Sequence, residues 1–338
     1  MPPTLRDVAR LAGVSPITAS RAFSGTHPVA EETRRRVLAA AEELGYVPDL
    51  LARGLVHRRS PIIGMVVLEL ANPFVAPIVD AAQAVAQAHE HLLVVNQSER
   101  RRDLEEASLY RFRQMRVAGV LVAPVSTHFE HLELLRARGT PVVAFARSWE
   151  GGDYVTVDDH AGGRLAGEHL TGLGHRRVGF LALGEEGNTA VQSRLEGFQA
   201  ALREAGAECA PEWRLFAPHQ TPQDGIEAAD AFVELPKPPT AVFVTADRLA
   251  IGFVHRLREH GLQVPGDVAV VGYDDIQYSE FLEVPLTTVA IPVHELGRMA
   301  AEILFERIES RGAGDELRQV QFVPELIVRA SCGGGEKQ

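Results

Sequence analysis

The sequence is poor in cysteine and has no long apolar run. Its two cysteines among 338 residues, Cys209 and Cys332, lie far apart without metal-ligand spacing. They predict neither a disulfide framework nor a metal site, and they favour a reducing compartment. No apolar stretch approaches the ~18 residues of a membrane-spanning helix, and no signal-peptide pattern opens the chain. We therefore expect a cytoplasmic protein with no membrane partner.

Motifs that enzymes use for cofactors and substrates are also missing. Only two lysines occur, Lys237 and Lys337, and neither follows a glycine-rich loop, which excludes a GxxxxGK[ST] phosphate loop. No GxSxG, GxGxxG or HExxH motif is present. His128 and His131 are three residues apart on a predicted helix, which is half a metal site at most and is more typical of a solvated face. We predict no catalytic residue, no metal and no cofactor.

A net positive charge occurs only at the start of an otherwise acidic chain. The net charge is −11, yet residues 1–60 contain nine arginines against six acidic residues. A small basic module on an acidic body is typical of a nucleic-acid-binding segment. A solvated basic face explains the same charge pattern equally well.

Residues 4–46 show the start and stop signals of three short helices, the last of which ends at Gly45. Thr4 and Asp7 form a capping-box pattern, and Gly13 ends the first helix. Ser15 and Pro16 open a second helix that reaches about residue 23, and a third helix is predicted over residues 30–44. Two helices joined by a tight turn and covered by a third predict a helix-turn-helix unit, whose second helix enters the DNA major groove. Short three-helix units also occur in protein-binding modules.

Beyond residue 61 the pattern alternates between apolar strands and amphipathic helices. Strands are predicted at residues 62–68, 92–96, 120–125, 142–145, 178–183, 241–245 and 268–273. Such strands predict parallel sheets that are buried on both faces, and the series restarts near residue 160, which indicates two similar lobes. A strand at 287–291, a helix at 293–309 and a final strand at 321–328 indicate that the chain crosses between the lobes more than once. The acidic pairs Asp158, Asp159 and Asp274, Asp275 follow strands, where they fit ligand binding, acid/base chemistry or loop capping.

Ordered motifs along the chain resemble the lactose/galactose repressor (LacI/GalR) family. The motifs are residues 4–21, Gly45-Tyr46-Val47-Pro48, Ala52-Arg53-Gly54-Leu55, Asn72-Pro73-Phe74, Arg194-Leu195-Glu196-Gly197-Phe198 and Gly272-Tyr273-Asp274-Asp275. The resemblance implies an all-α helix-turn-helix headpiece (residues 1–47), a hinge (48–60) and an α/β, two-lobed, periplasmic-binding-protein-like sensor (61–338). The first lobe is expected at about 61–158 and 292–320, and the second at about 161–288 and 321–332.

For DNA, the resemblance implies that Pro16, Ile17 and Arg21 read bases. Arg21 is suited to guanine, whereas Ile17 reads shape or a thymine methyl. Ser15, Thr18 and Ser20 are implied to contact phosphates, and Leu55 to act as a minor-groove wedge. These residues also have explanations without DNA contact. Ser15 then only caps the helix, Thr18 is only solvated, and Leu55 packs on Leu55 of the second copy in the dimer. Ala30 departs from the family's frequent serine cap.

For the effector, the resemblance places Phe74 against an apolar face, and Arg194 and Asp274 on polar groups. Arg147 and Asp247 are weaker candidates. An arginine facing an aspartate is also a common structural pair. Ala146 and Ala246 stand where relatives often have polar side chains, which puts a hexose effector in doubt.

The implied function is a sequence-specific regulator, expected to be a repressor, whose DNA affinity depends on a sugar-like effector. A homodimer on a near-palindromic operator follows from two-fold hinge pairing. The residues 331–338 form no apolar heptad tail, which argues against a tetramer built on such a tail. A periplasmic-type solute-binding protein and a sugar-processing enzyme are the alternatives.

Overall fold

The structure is a computed structural model that describes residues 3–24, 28–47, 60–184, 188–310 and 316–333. The headpiece consists of α1 (Leu5–Leu11), α2 (Pro16–Ser24) and α3 (Glu31–Leu44). Thr4 caps α1 in a complete capping box with Asp7, and Gly45 ends α3 with a φ of +64°. Ala30 starts α3 without a side-chain cap. The predicted helices and their end signals are confirmed.

Small side chains form the headpiece core. Val8 and Val37 are fully buried among alanines from all three helices: Ala9, Ala12, Ala19, Ala22, Ala40 and Ala41. Because alanine keeps neighbouring helices close, α3 covers both α1 and α2. The buried face of α2 is therefore fixed, and its other face points to solvent.

The first lobe is a six-stranded parallel sheet in the order β2-β1-β3-β4-β5-β11. Its strands are β1 (Ile62–Val67), β2 (Leu92–Gln97), β3 (Gly119–Val122), β4 (Val142–Phe145), β5 (Asp153–Val157) and β11 (Gln319–Phe322). Helices α4 (Val75–Ala88), α5 (Arg102–Gln114) and α6 (Glu130–Ala137) connect the first four strands. Apolar clusters lie on both faces of this sheet, as the apolar runs predict.

The second lobe repeats this arrangement in the order β7-β6-β8-β9-β10-β12. Its strands are β6 (Val178–Leu183), β7 (Arg214–Ala217), β8 (Ala241–Val244), β9 (Ala269–Asp274), β10 (Thr287–Ala290) and β12 (Glu325–Ile327). Its helices are α7 (Asp159–Gly172), α8 (Thr189–Glu204), α9 (Pro222–Val233) and α10 (Asp247–Glu259). Strand β12 is antiparallel to its neighbour β10.

The chain passes between the lobes three times in the described residues. It crosses from β5 to α7, from β10 to α11 (Val293–Glu309), and from β11 to β12. Helix α11 packs against α4 in the first lobe. The single final strand predicted at 321–328 is wrong: Pro324 lies between two strands that belong to different sheets. Among the described residues, no helix is long and apolar enough to span a bilayer.

Candidate functional site

A cleft lies where the carboxyl ends of both sheets face each other. It encloses about 120 Å³ and takes its walls from both lobes. Residues just after the strands form most of these walls, which is the usual ligand position in parallel α/β sheets. The polar lining residues are Glu69, Asn72, Arg100, Arg147, Asp159, Asn188, Arg194, Gln220 and Asp274.

Several contacts hold the Arg194 side chain of α8 in the cleft. Its Nε donates to Asp159 Oδ1 at 2.7 Å, and its Nη1 donates to the Thr245 carbonyl at 2.9 Å. The guanidinium lies over the Tyr273 ring, 3.6 Å from the centroid, while the Tyr273 hydroxyl donates to the same Asp159 oxygen at 3.0 Å. Nη2 makes no hydrogen bond with the described part of the chain. A fixed guanidinium with one donor group left over is suited to bind a ligand oxygen.

Asp274 places a carboxyl group in the cleft at the end of β9. Its φ of +109° lies in the region that favours glycine, and such backbone strain is concentrated at functional sites. Burial raises the pKa of Asp274 well above its ordinary value, and the charge of Arg194 opposes that rise. Within the described ranges, the Asp274 carboxyl group has no hydrogen-bond partner. It is therefore available to a polar group of a ligand.

Phe74 and Arg147 also line the cleft, as predicted. Asn72 Oδ1 accepts from the Phe74 backbone N–H at 3.2 Å, which fixes the start of α4. Arg147 Nε donates to the Pro124 carbonyl at 3.2 Å. Ile291 and Leu296 add apolar surface near Phe74, so the cleft has an apolar wall and charged groups in the same cavity.

Asp247 does not line the cleft, and the structure therefore does not support its prediction as an effector ligand. Its side chain is fully buried and accepts from Ser279 Oγ at 2.6 Å, Thr288 Oγ1 at 2.7 Å and the Ile276 N–H at 3.1 Å. These contacts join α10 to β10 and to the segment after β9. Ala246 is likewise buried away from the cleft, whereas Ala146 lines it. The argument from a missing polar group thus holds only for Ala146.

Two polar contacts bridge the lobes beside the cleft. Arg100 Nη2 of the first lobe donates to Gln220 Oε1 of the second at 2.6 Å. Arg248 Nη1 of the second lobe lies 3.1 Å from Glu69 Oε2 of the first. Sequence reasoning missed these residues, as well as Asn72 and Asn188. Arg248 lies in the first turn of α10, and the others lie in loops without periodicity. The available signals are the motif that contains Asn72 and, for Glu69, Arg100, Asn188 and Arg248, a position shortly after a predicted strand.

The solvent face of α2 carries the residues predicted to read DNA. Ile17 is 66% exposed, and Pro16 and Arg21 are also exposed, while Ala19 and Ala22 face the core. Ile17 and Arg21 are therefore both accessible to a molecule that binds this face of α2.

Ser15 and Thr18 support the start of this helix. Ser15 Oγ accepts from the Thr18 N–H at 3.1 Å and lies 2.9 Å from Thr18 Oγ1. Ser15 therefore caps α2, and it is exposed, so the capping role and a phosphate contact are compatible. Ser20 is half-buried. Leu55, the predicted wedge, lies outside the described residues.

Comparison with known proteins identifies both parts of the chain. Residues 4–49 match the family of bacterial regulatory proteins, lacI family, and residues 168–332 match the periplasmic binding protein-like domain. The HTH-type transcriptional repressor PurR of Haemophilus influenzae is 34% identical over 331 residues, covering 97% of this chain and 98% of that protein. The chain belongs to the LacI/GalR family. It is a DNA-binding transcriptional repressor under allosteric effector control, not an enzyme.

Solved LacI/GalR structures share the whole fold. The complex of the regulator CelR with cellobiose is 32% identical, has a TM-score of 0.73 and matches over 97% of this chain and 99% of that one. The Lac repressor dimer bound to operator and the anti-inducer ONPF is 26% identical, has a TM-score of 0.85 and matches over 98% of this chain and 99% of that one. The predicted headpiece and two-lobed sensor are thus confirmed.

Proposed function

We propose that this regulator binds a near-palindromic operator as a homodimer in the cytoplasm, with α2 of each copy in a major groove. The observation that carries the DNA contact is the exposure of Ile17 beside Arg21 on one face of α2. Arg21 donates two hydrogen bonds to a guanine edge, and Ile17 contacts a thymine methyl. Ser15, Thr18 and Ser20 contact phosphates and set the register. Leu55 enters a minor-groove step.

The effector site in this proposal is the cleft between the lobes. Arg194 and Asp274 bond hydroxyl or other polar groups, Arg147 assists them, and Phe74 covers an apolar face. Relatives whose structures contain cellobiose or ribose support a sugar-like effector.

The position of the effector between the lobes explains how effector binding is coupled to DNA binding. An effector that contacts both lobes stabilises one relative arrangement of the lobes, and the hinge enters the first lobe at Ser60. Ser60 is buried, and its N–H and Oγ donate to the Arg116 carbonyl at 3.0 and 3.1 Å. A lobe arrangement that changes hinge order changes operator affinity, and DNA changes effector affinity by the same factor.

The test is selection from a random DNA library with purified protein, repeated with a panel of sugars, sugar acids and nucleosides. We expect one two-fold-symmetric motif whose enrichment changes with a single class of compound. The variant Arg21→Ala flattens the motif. Arg10→Ala, which removes an exposed arginine from α1, keeps it and serves as the control. Selection that enriches no motif would refute the proposal.

A further inference from the structure

A second cavity, a groove of about 370 Å³ that is more open to solvent than the cleft, lies between α5 and α6. The two helices cover the face of the first sheet that is opposite to α4 and α11, since Leu109 and Leu132 belong to a different apolar cluster from Ile78 and Leu304. Neither the headpiece contact nor the effector cleft uses this groove.

The internal repeat of the fold shows that the groove is specific to the first lobe. Helices α9 and α10 hold the equivalent positions in the second lobe, and there the backbones touch. A Cβ atom at Gly225 would lie 2.1 Å from the Leu249 carbonyl oxygen, and one at Gly252 would lie 1.8 Å from that of Pro222. Helices α5 and α6 contain no glycine. The second lobe thus closes this space through glycines, whereas the first lobe keeps it open.

Buried contacts hold the walls of the groove in place. Glu105 of α5 is 1% exposed, accepts from the Val125 N–H at 2.7 Å and lies 2.5 Å from His131 Nε2 of α6. Because this carboxylate joins both helices and the loop after β3, their separation is fixed. Leu109 and Leu135 are buried beneath the opening, while Tyr110 is 60% and Leu134 is 53% exposed at its rim. The groove is therefore preformed and apolar at its centre.

Charge in the groove is unevenly distributed, with the acidic residues and two of its arginines at opposite ends. At one end Arg102 is neutralised by Glu106, 2.8 Å away, and by Glu130, 3.4 Å away. Toward the other end lie Arg113 and Arg138, whose side chains form no ion pair or hydrogen bond in the part of the chain that the structure describes. The volume lies at the lower end of the range of small-molecule sites.

We propose that this groove binds a small organic anion at a site separate from the effector cleft. Arg113 and Arg138 contact its phosphate or carboxylate group, and Tyr110 and Leu134 enclose its apolar or aromatic body. Both parts of the ligand are needed, because exposed arginines alone bind anions weakly in water.

The test uses full-length protein with three probes: phenyl phosphate, which has both parts, inorganic phosphate, which lacks the ring, and benzyl alcohol, which lacks the charge. Titration calorimetry is expected to show saturable binding of phenyl phosphate, and at least about tenfold weaker binding of the other two. The double variant Arg113→Gln/Arg138→Gln loses about tenfold or more in phenyl phosphate affinity. Arg111→Gln, on the same helix but outside the groove, keeps wild-type affinity and is the matched control.

The position of the bound phenyl phosphate is determined independently from leucine methyl NMR signals. Phenyl phosphate should shift the signals of Leu134 and Leu135 in the groove and leave Leu296 in the effector cleft unchanged. No saturable binding, equal affinity in the double variant, or shifts confined to Leu296 would each overturn the proposal. Since none of these readouts uses DNA, their failure is distinct from failure of the operator assignment.

Discussion

Replacing Asp247 with asparagine is expected to remove a pH-dependent loss of stability. Asp247 is fully buried, and burial raises its pKa to about 7 even though hydrogen bonds from Ser279, Thr288 and the Ile276 N–H lower it; the nearby charge of Asp275 raises it further. The folded chain thus keeps a proton that the unfolded chain, with an aspartate pKa near ~3.9, has already lost. The free energy of unfolding therefore falls as pH rises from about 4 to about 7.

Proton linkage gives the size of this effect. With a folded pKa of about 7, the Asp247 contribution to the free energy of unfolding falls by about 2.5 kcal/mol between pH 5 and pH 8. The variant Asp247→Asn keeps an acceptor oxygen and bears no charge, so it lacks this fall. Urea unfolding of both proteins at several pH values measures the difference directly.

Two controls sharpen the experiment. Asp267→Asn changes an exposed aspartate of the same lobe and should leave the pH profile as in the wild type. Because Asp247 does not line the cleft, Asp247→Asn should retain operator binding and effector response. A stability difference between wild type and Asp247→Asn that stays constant from pH 5 to pH 8 would refute the reasoning.

Three further predictions concern the DNA surface and the cleft. Thr18→Ala should weaken all operator sequences equally by a few fold, because a phosphate contact carries no base information; a changed motif in the selection would contradict this. The variants Glu69→Gln and Arg248→Gln form a double-mutant cycle for effector affinity, measured by calorimetry. We expect a coupling energy of about 1 kcal/mol between them, because the two side chains form an ion pair across the cleft. Purely additive effects on effector affinity would show that this ion pair does not contribute to effector binding. Arg194→Ala should abolish the effector response in an anisotropy assay and retain operator affinity, and an intact response would contradict its role. It should also lower the free energy of unfolding, by up to about 3–5 kcal/mol, because Asp159 loses its cation and keeps only the hydrogen bond from Tyr273.

Much of the architecture could be predicted because apolar runs and helix caps are local signals. The helix at 293–309 and the strand at 142–145 have the predicted limits. Strands β5 and β7 were not predicted, since Asp153 and Tyr154 begin the one and Arg214 the other, and neither segment is a continuous apolar run. These strands are recognised only through their pairing with neighbours.

Helix starts were predicted too late in the second lobe. Apolar periodicity alone predicts helices from residues 165 and 194, whereas α7 begins at Asp159 and α8 begins at Thr189. In both cases the first turn is polar or rich in glycine, so the apolar periodicity starts later than the helix. The caps Asp158 and Asn188, whose side chains accept from Ala161 N–H and Val191 N–H, were the available signal.

The cleft could be predicted in part. Phe74, Arg194 and Asp274 follow strands or belong to ordered motifs, and the structure brings them together. Asp247 shows the limit of this reasoning, because a residue at the end of a strand points either into the cleft or into the lobe. The sequence alone does not show which of these two directions the side chain takes. Cross-cleft partners such as Arg100 and Gln220 depend on how the lobes meet, which no local pattern encodes.

The most direct test of the account is the affinity of the full-length protein for its selected operator, measured by anisotropy at several salt concentrations with and without the compound that changes the selection. We expect affinity to fall at least about tenfold between ~50 and ~200 mM salt, since even two neutralised phosphates produce that change. We also expect the compound to shift affinity in wild type but not in Arg194→Ala. Affinity that is insensitive to salt, or an unchanged shift in the variant, would contradict a regulator that couples an arginine-bearing headpiece to an effector cleft.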